Sequence, residues 1–157
     1  MNQKVKMKPS YLKIAFLDRD GTLIKDYPDE KWREIKEPEF LEGSIEGLKR
    51  LKEMGYDFII ITNQYLINDG IISLNDYQQF TGKFLKKLKE ENIDILKIYF
   101  CPHNEKDHCH CKKPKPGMIE QAKKDFLIDM NNSIYIGDSQ VDYLLAKHFN
   151  LTLWDKL

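Results

Sequence analysis

Residues 13–22 read KIAFLDRDGT, and this stretch decides the fold. An apolar run, IAFL, is followed by two carboxylates, Asp18 and Asp20, with one residue between them. An apolar run without polar alternation is typical of a strand buried on both faces of a parallel sheet. Gly21 then permits a tight turn of the backbone. The pattern therefore predicts a buried strand that presents two acidic side chains at its carboxyl end.

Strand and helix patterns alternate outward from this stretch. Apolar runs of strand length recur at residues 57–62, 95–100, 133–136 and 151–154. Apolar side chains at helical spacing occupy residues 44–54, 74–92, 117–126 and 140–149. Ser73 is the predicted N-cap of the second helix. Strands that alternate with helices predict an α/β fold with a doubly wound, mostly parallel sheet.

Length and charge narrow the class of protein. The 157 residues suffice for about one domain, and we predict a flexible tail over residues 1–10 and a single domain over residues 11–157. Lys and Arg total 25, as do Asp and Glu, which argues against non-specific binding to nucleic acid or to anionic membranes. No apolar run approaches the roughly 18 residues of a membrane span, and residues 1–10 lack the apolar centre of a secretion signal. The default expectation is a cytoplasmic monomer.

The two carboxylates after the first strand suit phosphoryl chemistry. A carboxylate such as Asp18 can attack phosphorus and form an aspartyl-phosphate. A second carboxyl group, such as that of Asp20, can protonate the leaving oxygen and later activate water. Taken alone, an Asp-Gly pair is also typical of a surface turn.

Further polar residues follow the other predicted strands. Thr62 and Asn63 could hold phosphoryl oxygens, Lys113 could neutralise charge on a transferring phosphoryl group, and Asp138 could share Mg²⁺ with Asp18. Each residue alone fits a simpler role, as a strand end, a basic loop or a helix cap. Their order, each after a predicted strand, favours one site at the carboxyl edge of the sheet.

The cysteines form a separate cluster. All cysteines of the chain fall within residues 101–111, and together with one nearby histidine they give the candidate set Cys101, His103, Cys109 and Cys111. An odd number of cysteines is a poor disulfide framework, whereas a Cys₃His set suits tetrahedral, structural Zn²⁺. His108 and His110 are competing ligands, and His103 is favoured because it lies near Cys101. The simpler alternative is free cysteines in a flexible loop.

The order DRDGT, TNQ, KP and GDSxxD resembles the haloacid dehalogenase superfamily of phosphatases over residues 14–149. The resemblance implies a Rossmann-like core and an Mg²⁺-dependent phosphomonoesterase. By the same resemblance, Asp18 is the nucleophile, Asp20 the general acid and base, and Thr62 and Lys113 bind the phosphoryl group.

The resemblance also implies a ligand set for the catalytic metal. Mg²⁺ would be held by Asp138, by the carboxylate of Asp18 and by the backbone carbonyl of Asp20. Asp142 would orient either Lys113 or the metal-bound water. No separate cap domain fits in the chain, so short loops must close the site, with Tyr27, Trp32 and Tyr65 as candidate lining residues.

The CPH…CxC…KPxPGM segment resembles a zinc-containing branch of the superfamily, which includes heptose 1,7-bisphosphate 7-phosphatases and histidinol-phosphate phosphatases. It implies a small phosphorylated substrate, such as D-glycero-D-manno-heptose 1,7-bisphosphate, with histidinol phosphate as an alternative. Lys112 stands where the heptose family usually has an arginine for substrate recognition. Residues 26–43 would form the specificity loop.

Several residues depart from the heptose-family pattern. They are Tyr65 after TNQ, Lys112 for arginine, Asp69 where arginine is common, and Ser139 where a basic residue is common. Together they weaken a sugar-bisphosphate assignment, because a second phosphate favours cationic partners. A nucleic-acid 3′-phosphatase stays open as an alternative, because polynucleotide 3′-phosphatases use the same DxDGT chemistry, although the balanced charge counts against it. A receiver-like signalling module is less favoured, because Asp20 would hydrolyse a phosphoaspartate that a receiver must preserve.

Overall fold

A computed structural model describes residues 9–157. The predicted tail lies outside the described residues except for its last two positions, Pro9 and Ser10, which are exposed. The strands are β1 (Ile14–Leu17), β2 (Asp57–Asn63), β3 (Lys97–Cys101), β4 (Ile134–Ile136) and β5 (Thr152–Trp154). They form one sheet in the order β3-β2-β1-β4-β5, and every neighbouring pair is parallel.

Helices connect the strands as the sequence predicted. They are α1 (Ser44–Glu53), α2 (Leu74–Glu90), α3 (Gly117–Asp125) and α4 (Gln140–His148). Ser73 caps α2, because its side chain accepts a hydrogen bond from the Asp76 N–H and the Asp76 side chain accepts one from the Ser73 N–H. Short 3₁₀ helices at Asp29–Arg33, Glu105–Asp107 and Met130–Asn132 lie between the predicted strands and helices.

The sheet is covered on both faces. Ala15 and Leu17 of β1 face the layer that holds α1 and α2, while Ile14 and Phe16 face the layer that holds α3 and α4. All four residues are fully buried, so the run lacks polar alternation because both faces of β1 are covered. The predicted doubly wound α/β fold is confirmed. Within residues 9–157 there is no separate cap domain, and no helix of that region is long and apolar enough to cross a membrane.

The strand order places a crevice above the centre of the sheet. The chain runs outward from β1 to β2 and β3, then crosses to β4 on the other side of β1. Ligands of open α/β sheets bind at this kind of switch point, beyond the carboxyl ends of the strands. The Asp18 N–H donates to the Ile136 carbonyl at 3.0 Å, so the acidic motif begins at this point.

Candidate active site

The turn after β1 sets the position of the first carboxylate. Gly21 has a φ of +85°, a conformation that favours glycine, and its N–H donates to the Ile24 carbonyl at 2.8 Å. The Thr22 hydroxyl donates to Asp18 Oδ2 at 3.3 Å. Asp18 is therefore held at the strand end with one carboxylate oxygen facing Lys113.

Lys113 is the centre of a buried ionic network. Its Nζ donates to Asp18 Oδ1 at 2.9 Å and to Asp142 Oδ1 at 2.8 Å, and it lies 3.3 Å from the Tyr135 hydroxyl. Lys113 is only 4% exposed and Asp142 is fully buried. The Tyr135 hydroxyl in turn donates to Asp142 Oδ1 at 2.7 Å. One ammonium group thus contacts two carboxylates. The contact between Asp142 and Lys113 is the one that the first of the two roles predicted for Asp142, the orientation of Lys113, requires.

The network shifts the ionisation of its members. Burial raises the pKa of Asp18 to about 6, although Lys113 opposes this shift. Burial works against the charge of Lys113, but Asp18, Tyr135 and Asp142 hold its pKa well above the usual range. Burial would raise the pKa of Asp142, yet its contact with Lys113 lowers it. The ammonium group of Lys113 therefore stays charged beside the Asp18 carboxylate.

The start of α4 fixes Asp142. Ser139 caps the helix, and its hydroxyl donates to Asp142 Oδ2 at 2.6 Å. A Cβ on Gly137 would stand 2.6 Å from Asp142 Cγ, so only glycine fits beside this carboxylate. The sequence marked Ser139 both as a departure from the family pattern and as a possible cap of the next helix, and the structure shows that it caps α4 and contacts Asp142. Tyr135 was not predicted, because inside a strand it reads as an ordinary core aromatic.

Residues at the end of β2 form the next wall. The Asn63 side chain donates to the Lys113 carbonyl at 3.2 Å and accepts from the Lys113 N–H at 2.8 Å. Asn63 therefore anchors the backbone of Lys113, and its predicted contact with phosphate stays a prediction. Thr62 is 1% exposed and its hydroxyl oxygen accepts from Gln64 Nε2 at 2.9 Å. Both residues line the same cavity as Asp18 and Lys113.

Asp20 contacts two residues to which the sequence analysis assigned no role. Arg19 donates from Nε to Asp20 Oδ1 at 2.7 Å and from Nη2 to Oδ2 at 3.2 Å. Gln64 Nε2 donates to the same Oδ2 at 2.9 Å. Arg19 is 2% exposed, which is unusual for an arginine and requires such partners. The available signal was its place between two acidic residues of the motif.

Asp138 stands apart from these contacts. It follows β4 two residues after Ile136, which pairs with Leu17 just before Asp18, and it is exposed. The carboxylates of Asp138 and Asp18 thus follow neighbouring strand ends. Together with the backbone carbonyl of Asp20 they would offer an all-oxygen donor set, the type that suits the hard ion Mg²⁺. The Mg²⁺ ligands stay a prediction.

The Cys/His cluster assembles as the sequence suggested. The ligand atoms of Cys101, His103, Cys109 and Cys111 lie within 4.8 Å of one another. The Cys101 sulfur is 3.6 Å from that of Cys109, and His103 Nδ1 is 3.2 Å from the Cys111 sulfur. Tetrahedral Zn²⁺ with Zn–S bonds of about 2.3 Å would set sulfurs roughly 3.8 Å apart. The sulfurs of Cys101 and Cys109 are near this separation, whereas those of Cys101 and Cys111 are closer, at 3.0 Å. The convergence of three thiols and one imidazole suits the ion.

The competing histidines lie elsewhere. His110 contacts Glu120, with 3.1 Å between Nε2 and Oε2, and His108 is exposed. The cluster thus uses His103, the preferred histidine. The last residue of the cluster, Cys111, directly precedes Lys112. A Cβ on Gly117 would stand 2.5 Å from the His110 carbonyl oxygen, so the loop packs tightly on the start of α3. A metal here would hold the loop that carries Lys112 and Lys113.

The cavity has a volume of about 250 Å³ and an acidic, aromatic mouth. The Tyr65 hydroxyl donates to Asp29 at 3.0 Å, and burial with this contact raises the pKa of Tyr65 to about 12. Trp32 Nε1 donates to Asp26 Oδ1 at 3.1 Å. Trp32 and Tyr65 line the cavity as predicted, but Tyr27 is not among the lining residues. It packs edge-on against Trp32, with ring centroids 5.3 Å apart.

Lys112 is not among the residues that line the cavity, but it lies beside Tyr65, which is. Its Nζ donates to Glu105 Oε1 at 2.7 Å and lies 5.0 Å from the centre of the Tyr65 ring. The side chain is 17% exposed, while that of Glu105 is 81% exposed. A solvated ion pair of this kind is weak and can exchange partners.

Comparisons with known proteins agree with this arrangement. Residues 13–151 match a family model described as polynucleotide kinase 3 phosphatase. The chain is 42% identical over 144 residues to the D-glycero-alpha-D-manno-heptose-1,7-bisphosphate 7-phosphatase of Photorhabdus laumondii, covering 87% of this chain and 77% of the relative. It is 41% identical over 141 residues to the beta-anomer enzyme of Pasteurella multocida, covering 86% and 76%.

A solved structure gives the same result. The D,D-heptose 1,7-bisphosphate phosphatase of B. bronchiseptica, complexed with magnesium and phosphate, superimposes with a TM-score of 0.81. It is 26% identical, and the match covers 91% of this chain and 79% of that one.

The fold, the acidic motif and these matches together define a phosphatase of the haloacid dehalogenase superfamily. Within that superfamily, the chain belongs to the family of the heptose-1,7-bisphosphate 7-phosphatases.

Proposed function

We propose that this phosphatase hydrolyses sugar phosphates through an aspartyl-phosphate on Asp18, with D-glycero-D-manno-heptose 1,7-bisphosphate as the leading substrate. The observation that carries the mechanism is the Asp18–Lys113–Asp142 network, in which one ammonium group lies 2.9 Å and 2.8 Å from two carboxylates. The substrate follows from the names of relatives at about 41% identity.

The reaction has two steps. A carboxylate oxygen of Asp18 attacks phosphorus while the bond from phosphorus to the sugar oxygen breaks, and Asp20 gives its proton to that oxygen. Water then attacks the phosphorus of the aspartyl-phosphate and gives a proton to Asp20. This step releases inorganic phosphate and restores Asp18.

The side chains around Asp18 stabilise the charge that moves. The ammonium group of Lys113 is buried and held by Asp142, so it needs little reorganisation when charge builds on the phosphoryl oxygens. Thr62 would donate its hydroxyl hydrogen to one of these oxygens. Mg²⁺, held by Asp18, Asp138 and the Asp20 carbonyl, would supply positive charge and an oxygen-binding template. Zn²⁺ in the Cys/His cluster would act structurally.

The acidic residues at the mouth of the site affect which substrate can bind. Asp26 and Asp29 line it, so the second phosphate of a bisphosphate needs a cation there. Lys112 is the candidate, provided that its ammonium group leaves Glu105 for the substrate. The exposure of Glu105 makes that exchange inexpensive.

A nucleic-acid 3′-phosphatase is the second candidate, because the matching family model carries that description. The balanced charge of the chain counts against it, since affinity for nucleic acid depends on excess positive charge. Histidinol phosphate, a monomeric state and a cytoplasmic location also stay predictions of the sequence.

Phosphate release from a substrate panel in Mg²⁺ tests the proposal. The panel holds heptose 1,7-bisphosphate, histidinol phosphate, other sugar phosphates, nucleotides and a 3′-phosphorylated oligonucleotide, with Asp18→Asn as the control enzyme. We expect the highest kcat/KM for the heptose bisphosphate and no turnover in the variant. Preference for the oligonucleotide would replace the substrate while the mechanism stands. Full turnover by Asp18→Asn would overturn the mechanism.

A further inference from the structure

We propose that Arg19 and Gln64 are positioning residues that hold the Asp20 carboxyl group at the phosphoryl site. The inference rests on the proposed function, in which Asp20 exchanges the proton of the leaving oxygen and of water. It adds two residues whose effect on the reaction would pass through Asp20.

Arg19 fixes the plane of the carboxyl group. Its two contacts with Asp20, at 2.7 Å and 3.2 Å, involve different guanidinium nitrogens and different carboxylate oxygens. Such a paired contact restricts both distance and orientation. The opposite side of the guanidinium group contacts α2. Nη1 donates to Thr81 Oγ1 at 3.3 Å, and the guanidinium carbon lies 5.1 Å from the centre of the Phe80 ring. Arg19 thus connects Asp20 to a rigid helix.

Gln64 links Asp20 to the phosphoryl-binding hydroxyl. Its Nε2 lies 2.9 Å from Asp20 Oδ2 and 2.9 Å from Thr62 Oγ1. The amide nitrogen carries two hydrogens and a carboxylate only accepts, so both contacts are donations by Gln64. Because Thr62 Oγ1 accepts from Gln64, the hydroxyl hydrogen of Thr62 is free to point at a phosphoryl oxygen. Gln64 is 4% exposed and lines the cavity, so its orientation is fixed.

The choice of leaving group can reveal a positioning role. A sugar alcohol leaves poorly as an anion and needs the proton of Asp20, whereas p-nitrophenol leaves as a stable anion without one. The ratio kcat/KM covers the steps up to formation of the aspartyl-phosphate, so later hydrolysis does not enter it. A badly placed Asp20 should therefore impair alkyl phosphates selectively.

The test compares kcat/KM for a sugar phosphate and for p-nitrophenyl phosphate in four enzymes. These are the wild type, Asp20→Asn, Gln64→Leu and Arg19→Lys. We expect Asp20→Asn to lose about 10²–10⁴-fold on the sugar phosphate and far less on the aryl phosphate. Gln64→Leu and Arg19→Lys should show the same selectivity with a loss of roughly 10–100-fold. Arg19→Lys keeps the charge but not the paired geometry.

Controls separate the inference from the proposed function. Gln121→Leu and Arg50→Met alter exposed residues outside the cavity and should leave both ratios unchanged. If Arg19→Lys fails to fold, Gln64→Leu alone decides. An equal loss on both substrates, or no loss, in Gln64→Leu would overturn the inference while Asp20→Asn stays selective. If Asp20→Asn itself shows no selectivity, the proposed role of Asp20 fails instead.

Discussion

The floor and the mouth of the cavity differ in how their lysine side chains are buried and paired. On the floor, Lys113 is 4% exposed, and its charge is balanced by Asp18 and Asp142 within 2.9 Å. At the mouth, Lys112 is the next residue in the chain, yet it pairs with a glutamate whose side chain is 81% exposed. Two adjacent lysines thus occupy a rigid buried network and an exchangeable surface pair. The contrast supports the proposal that residues of the floor carry out the chemistry and residues of the mouth select the substrate.

Removal of the central ammonium group should have the largest effect. Lys113→Met would leave two buried carboxylates without their shared cation, so we expect kcat to fall by at least about 10³-fold. Breaking a buried ion pair in this way also costs about 3–5 kcal/mol of stability. Steady-state kinetics and urea unfolding would measure both losses. The exposed Lys86→Met is the control, and near-normal kcat in Lys113→Met would contradict the role given to the floor.

Disruption of the Cys/His cluster should have the next largest effect. A Cys109→Ser variant or a thiol-compatible chelator would loosen the loop that delivers Lys112 and Lys113, so we expect roughly 10–100-fold lower kcat/KM and a lower Tm. The Zn²⁺ content of the purified protein, measured by elemental analysis, should fall in parallel. Unchanged activity in a demonstrably metal-free protein would show that the loop holds its shape without an ion.

A smaller change on the floor should act through Asp142. The new methyl group in Gly137→Ala would stand 2.6 Å from Asp142 Cγ and must displace that side chain from Lys113. We expect kcat to fall about 10-fold with little change in KM, measured by phosphate release. Gly82→Ala is a matched control, because its new methyl group meets nothing within 4 Å. Equal behaviour of the two variants would argue against a positioned Asp142.

The mouth should give the smallest effect. Tyr65→Phe removes the hydroxyl that donates to Asp29 at 3.0 Å but keeps the ring beside Lys112. We expect KM to change by a few-fold and kcat to stay within about two-fold, because one solvated hydrogen bond contributes only about 1 kcal/mol. A large drop in kcat would mean that the mouth takes part in the chemistry.

Much of the fold was readable from the sequence because each signal was local. Buried strands were recognisable as apolar runs, and Ser73, a preferred N-cap residue, correctly predicted the start of α2. Because the carboxyl ends of parallel strands meet at one edge of a sheet, the sequence already predicted that Asp18 and Lys113 lie at one site. The Cys/His cluster was equally readable, because its ligands are close in sequence and of a distinctive type.

The remainder depended on side-chain geometry that no local pattern encodes. Tyr135 lies in the middle of a buried strand, so nothing in the sequence separated its hydroxyl from the core until Asp142 was seen 2.7 Å away. Arg19 and Gln64 were inside recognised motifs, but their partners became visible only in three dimensions. The prediction for Tyr27 was wrong because the same local sequence allows an aromatic residue of a loop either to face the cavity or to pack against a neighbouring side chain.

The most direct test of the central claim is a rapid acid quench during turnover of a sugar phosphate, followed by mass spectrometry of the proteolysed chain. The account predicts one added phosphoryl group on the peptide that contains Asp18, and its absence in Asp18→Asn. A phosphoryl group on another residue, or turnover by Asp18→Asn at the wild-type rate, would contradict the account.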